Sequence, residues 1–141
     1  MIYLLDTNVL SETMKPQPAM AVASWMRAQP LRSLYTAAIC QAEILAGIAI
    51  VPASRRRVQL EIMARAIFSE DFDGRILPFG KDAAPAYAEL FALRRQRGRP
   101  IAAADLMIAA IGRAHGATIV TRDAGGFSDC GLTIVDPWIS G

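Results

Sequence analysis

The chain has 141 residues, 53% hydrophobic and 20% charged, which suits one folded domain with its own core and argues against disorder. A formal net charge of +2 announces no polyanionic partner, and two cysteines make neither a disulfide framework nor a zinc site. No basic stretch precedes the short N-terminal apolar run, and the longest apolar run, residues 37–51, includes Gln41 and Glu43 and is too short to span a bilayer. A reduced, cytoplasmic, non-membrane protein with one domain over residues 1–141 is expected.

Ile2 to Leu5 is a continuous apolar run ended by Asp6, short enough for a buried parallel strand. Asn8 to Met14 suits one or two helical turns stopped by Pro16. Pro18 opens a helix through Val22, Trp25 and Met26, which Pro30 closes; Trp25 follows the apolar period and reads as core. Ser33 to Thr36 is a short strand candidate, and Ala37 to Ile50 a helix stopped by Pro52, with Cys40 as a small core residue. Ser54 suits the N-cap of a helix running to Phe68, Arg75 to Phe79 a strand, and Asp82 the cap of a helix reaching Gly98. Ala103 to Ala114 is a helix with Gly116 as its C-cap, followed by strands at Thr118 to Thr121 and Thr133 to Val135. Strands alternating with helices imply an α/β fold, a parallel sheet covered on both faces. Ligands of such sheets sit beyond the carboxyl ends of the strands, where the strand order reverses.

Most of the 13 acidic residues lie in polar surroundings, but four do not. Asp6 ends the first and most apolar strand. Glu43 is the only charge between Arg32 and Arg55, on a face shared with Ile39 and Gly47, so it is expected to point where core residues point. Asp105 is the only charge between Arg99 and Arg113, and Asp123 follows a strand ending at Thr121. Each has a bland alternative: a cap for Asp6, a buried ion pair for Glu43, a helix-dipole partner for Asp105 and a turn before Gly125 for Asp123. Taken jointly, carboxylates without a His or Cys cluster suit a hard cation, Mg²⁺ or Mn²⁺, because an unpaired buried carboxylate costs several kcal/mol. Of 15 basic residues 13 are Arg, clustered at Arg55, Arg56, Arg57 and at Arg94, Arg95, Arg97, Arg99; they suit either phosphate contacts or solvated helix faces. His115, the only histidine, lies late in a helix and suits its C-terminal dipole, which excludes a nuclease of the histidine-pair type.

The opening MIYLLDTNVL resembles the start of the PIN-domain family, an apolar strand ending in Asp, then Thr and Asn. TAAICQAEILAGI resembles the family's second motif, and IAAADLMIAAIGRAHGATIVTRDAGGF its third and fourth, in order and across essentially the whole chain. The length resembles the VapC- and FitB-like toxins of bacterial toxin–antitoxin pairs. The resemblance implies a three-layer α/β/α sandwich, Rossmann-like, around a short parallel sheet. It implies Asp6, Glu43, Asp105 and Asp123 as the Mg²⁺-binding acids, with Mn²⁺ able to substitute, and Asn8 and Thr121 as groups that orient them. It further implies endonucleolytic cleavage of RNA, homodimerisation and a small antitoxin partner.

Hydrolysis without the 2′-hydroxyl is expected to leave 5′-phosphate and 3′-hydroxyl ends. A basic side chain from the antitoxin is expected to sit among the acids, with Leu10 to Met14 and Ala19 to Met26 lining its groove, since no autoinhibitory tail follows Trp138 before Ser140 and Gly141. A phosphoaspartate receiver needs a late-strand Lys, and Lys15 and Lys81 are both misplaced; a haloacid-dehalogenase-like phosphatase wants Asp where Asn8 stands. A PIN-type module that binds RNA without cleaving it remains as the alternative.

Overall fold

The first apolar run folds as strand β1 (Tyr3–Leu5), at the centre of a sheet that a computed structural model of the chain describes with residues 1–139. Ser140 and Gly141, on which the expected end of the domain falls, lie outside the described residues. Strands β2 (Leu34–Ala37), β3 (Ile76–Leu77), β4 (Thr118–Val120) and β5 (Ile134–Val135) complete the sheet in the order β3-β2-β1-β4-β5. Every neighbouring pair is parallel. Parallel neighbours need long crossovers. Here these carry α1 (Thr7–Thr13), α2 (Met20–Ala28), α3 (Ala38–Ala49), α4 (Arg55–Ala66), α5 (Ala83–Gln96) and α6 (Ala103–Ala114). Leu4, Leu5, Ile119 and Val120 are all fully buried, as strands covered on both faces must be. The expected α/β sandwich with a short parallel sheet is what forms.

The strand order reverses at β1, with β2 and β3 on one side and β4 and β5 on the other. Leu5 pairs with both Thr36 and Val120, so the chain leaves β1 and β4 side by side at one edge. That edge is the place such sheets reserve for ligands.

Local chemistry explains most element ends. The Ser54 hydroxyl accepts from the Arg57 amide at 3.2 Å and starts α4, and Gly116 takes φ 64° to end α6, a conformation only glycine adopts without cost. Asp82, expected as the cap of α5, makes no capping bond; its carboxylate instead lies 3.8 Å from His115 at the end of α6. The helix expected to reach Phe68 stops at Ala66 and widens into a π turn over Ile67–Asp71. The strand expected over residues 75–79 shortens to Ile76–Leu77, because Pro78 offers no amide to a ladder.

Two groups of charges proved structural. Arg94 is buried and donates to the carbonyls of Arg99 (2.6 Å) and Ser128, while Arg97 and Arg99 pair with Asp129. Arg94 therefore clamps the loop after α5 to the loop before β5 from inside, while Arg97 and Arg99 brace the same loops through Asp129 and stay exposed. Glu12 is nearly as buried as Asp6. It accepts from Lys15 Nζ and the Ala19 amide, both at 2.9 Å, which tie the end of α1 to the start of α2 and hold its pKa low. Trp25 packs edge-on against Tyr3, centroids 5.1 Å apart, as the core residue its spacing suggested. Cys40 and Cys130 are both buried and free.

Candidate active site

Asp6 is positioned by backbone first. Its amide donates to the Val120 carbonyl at 2.9 Å, so the residue after β1 is pinned to the end of β4. The side chain is 5% exposed, with Oδ1 accepting from the Thr7 amide at 2.8 Å and Oδ2 from the Thr121 hydroxyl at 2.7 Å. Both the capping role and the inward carboxylate therefore belong to this one residue. Burial pushes its pKa up, the bonds from Thr121 and Thr7 pull the other way, and the charges of Glu43 and Asp123 add to the rise.

Thr121, fully buried, organises the edge. Its oxygen donates to Asp6 and accepts from Asn8 Nδ2 (3.2 Å) and from the Asp123 amide (3.0 Å), and Asn8 Oδ1 accepts from the Arg122 amide at 3.3 Å. Asp123 then turns its carboxylate back to accept from the Gly126 amide at 3.1 Å. A Cβ on Gly126 would lie 2.4 Å from Asp123 Oδ2, so only glycine leaves that carboxylate where it is.

Glu43 arrives from α3. The buried face of that helix is Cys40, Ile44 and Ile48, whereas Ile39 is only half-buried and Glu43 and Gly47 are exposed. The expectation that Glu43 points into the core is thus corrected: it lies on the open side of the helix and leans over the edge of the sheet. There Glu43 Oε1 accepts from the Thr7 hydroxyl at 2.6 Å. Asp105, in the first turn of α6, is half-buried. Burial raises its pKa, and the charges of Asp6, Glu43 and Asp123 raise it further.

All four acids line one cleft of about 520 Å³, together with the Glu12–Lys15 pair, Thr7, Arg122 and Trp138. His115 is not among its lining residues. The sequence does not mark Thr7, Arg122 or Trp138 as lining residues, although Thr7 and Arg122 both flank residues that it does. The carboxylates face the cleft without meeting: among the described residues, no three His, Cys, Asp or Glu side chains stand close enough to hold a metal ion. Most of them are instead held by local partners, Asp6 by Thr121, Glu43 by Thr7 and Asp123 by Gly126. The donor set is nonetheless all oxygen and carries mutually repelling charge, which fits a hard divalent cation that keeps several waters and takes only one or two carboxylates. It does not form a ready cage.

Residues 3–131 match the PIN domain. Over 135 residues, 96% of this chain and 96% of the relative, the chain is 42% identical to the VapC ribonuclease Y4jK of Sinorhizobium fredii. Toxin FitB of Neisseria gonorrhoeae is 37% identical over 135 residues, 96% of this chain and 97% of that protein. The crystal structure of FitAcB from Neisseria gonorrhoeae matches with a TM-score of 0.87 and 35% identity, covering 98% of this chain and 99% of that one. On sequence and fold alike, the chain belongs to the PIN-domain family, among its VapC- and FitB-like members.

Proposed function

We propose that the chain is a Mg²⁺-dependent endoribonuclease and the toxin of a toxin–antitoxin pair. The observation that carries the reading is the convergence of Asp6, Glu43, Asp105 and Asp123 on one cleft at the strand reversal, with Asp6 and Asp105 raised by burial and by their neighbours' charge. Groups destabilised in this way are typical of sites built for a cation or for proton transfer. The names of two relatives, a ribonuclease and a toxin, support the same activity class.

In this reading Asp6 is the direct metal ligand, and Glu43, Asp105 and Asp123 bind the cation through water or orient the attacking water. Bound there, Mg²⁺ or Mn²⁺ supplies activation of water and neutralisation of charge at the phosphate. Thr121 and Asn8 fix the Asp6 carboxylate, and Thr7 steers Glu43 toward it. Attack by water leaves 5′-phosphate and 3′-hydroxyl ends.

The proposed partners are RNA, a second copy of the chain and a small antitoxin that delivers a basic side chain to the acids. The groove assigned to the antitoxin needs correcting. Leu10, Val22 and Trp25 are buried in the core and unavailable. An apolar groove of about 480 Å³ runs instead between α1, α3 and α4, past Met14, Ile44, Leu60 and Met63, and shares Thr7 and Glu43 with the acidic cleft. An amphipathic segment lying there reaches the acids directly.

Incubation of the purified chain with structured and unstructured RNA, in Mg²⁺ and in EDTA, tests the reading. Cleavage is expected in Mg²⁺ only, and Asp6→Asn is expected to lower it by at least about 100-fold. RNA bound but left intact in both conditions would make the chain a non-cleaving RNA-binding module.

A further inference from the structure

The acidic cleft poses an electrostatic problem for its proposed substrate, because carboxylates repel a phosphodiester before any cation is bound. Two basic side chains, Lys15 and Arg122, line the same cleft. Lys15 is committed to Glu12 at 2.9 Å. Arg122 is exposed, and among the described residues its side chain makes neither an ion pair nor a hydrogen bond, even though carboxylates share its cleft. Its guanidinium is held another way, over the Trp138 ring with the central carbon 4.8 Å from the centroid.

Topology puts these two residues together. β4 and β5 pair in parallel with Val120 opposite Val135, and the Thr121 amide donates to the Val135 carbonyl at 2.9 Å. The segments after both strands therefore leave at one edge. Arg122 is then fixed through its amide by Asn8, and Trp138 through its amide by Asp136 Oδ1 at 2.9 Å. Stacking on an indole restrains a guanidinium through its face while leaving all five N–H donors free around its rim. Such a planar donor fork matches phosphate oxygens.

We propose that Arg122, stacked on Trp138, is the phosphate-binding residue of the cleft, gripping a phosphodiester of single-stranded RNA beside the four acids. The inference rests on the ribonuclease reading and adds to it the residue that offsets the acids' repulsion. Trp138 is a positioning residue, acting through the arginine it carries.

The test is binding of a fluorescein-labelled single-stranded RNA oligonucleotide in EDTA, followed by anisotropy across a salt series, with melting curves on each variant. Arg122→Ala and the polar, uncharged Arg122→Gln are expected to weaken binding about tenfold and to reduce the slope of log affinity against log salt by about one. Arg122→Lys keeps the slope but recovers only part of the affinity. Trp138→Leu lowers affinity at unchanged slope, and Trp138→Phe restores most of it. Wild-type affinity and slope in both Arg122→Ala and Arg122→Gln, each folded by its melting curve, would overturn the inference while leaving the nuclease reading intact. A wild-type chain that neither binds RNA in EDTA nor cleaves it in Mg²⁺ would overturn both.

Discussion

Thr121 holds more of the site than its size suggests, because one hydroxyl satisfies Asp6, Asn8 and the Asp123 amide at once. Among the described residues Asp105 has no comparable partner, and its raised pKa comes from burial first and then from the charges of Asp6, Glu43 and Asp123. A carboxyl group whose folded pKa lies above its unfolded value lets the native state hold protons that the unfolded chain has released. Stability of the metal-free protein should therefore fall as pH rises from about 3.9 through the raised value, with the penalty fully present above it. Asp105→Asn removes this contribution. In EDTA at pH 7 its melting temperature should equal or exceed that of wild type, and its decline from pH 4 to pH 7 should be shallower. An Asp105 that merely complemented the α6 dipole would show the opposite, a loss of roughly 0.3–1 kcal/mol on substitution. Of the four acids, Asp6 and Asp105 were legible as misplaced charges because an acid in an apolar run is unusual in any fold. The side to which Glu43 points was not, because the half-buried Ile39 and the exposed Gly47 share its stripe of α3 and only packing distinguishes that stripe from the one bearing Ile44.

At the scale of elements, α6 is what brings Asp105 to the sheet, and it can do so because Gly112 lets the helix lie close on β1 and β4. A Cβ on Gly112 would stand 2.6 Å from Ile119 Cδ1 and 3.5 Å from Leu4 Cδ2, both residues fully buried. Gly112→Ala removes a helix-weakening glycine, a gain of up to about 1 kcal/mol, but forces overpacking that costs roughly 1–3 kcal/mol. The net expectation is a destabilised protein with a lower denaturation midpoint in urea. A variant more stable than wild type would mean that α6 can shift outward freely. The helices and strands themselves were readable from apolar spacing and from Pro and Gly. The Arg94 clamp was not, because a run of arginines reads the same whether it faces solvent or wraps carbonyls from a loop more than thirty residues away, as Arg94 does with Ser128.

Over the whole molecule, binding to the folded state alone must stabilise it. Millimolar Mn²⁺ or Mg²⁺, at about ten times its dissociation constant, should add about 1.4 kcal/mol, or roughly 3–6 °C in melting temperature for a chain of this length. EDTA should reverse the rise, and Asp6→Asn should abolish it. Absence of any shift with Mn²⁺ would rule out a shared cation site. What the sequence by itself determined is the α/β alternation and four acids that come to share one cleft, since apolar periodicity and isolated charges are local properties. What only the tertiary structure decided is how those acids stand to one another. The order β3-β2-β1-β4-β5 sets Asp6 beside Thr121, and the parallel β4–β5 pair sets Arg122 against Trp138. It also decided that the carboxylates share a cleft without closing into a cage, because hydroxyls and amides from neighbouring elements hold Asp6, Glu43 and Asp123 in place. Distances of this kind depend on strand order and register, which are set by long-range packing and leave no mark on residue spacing.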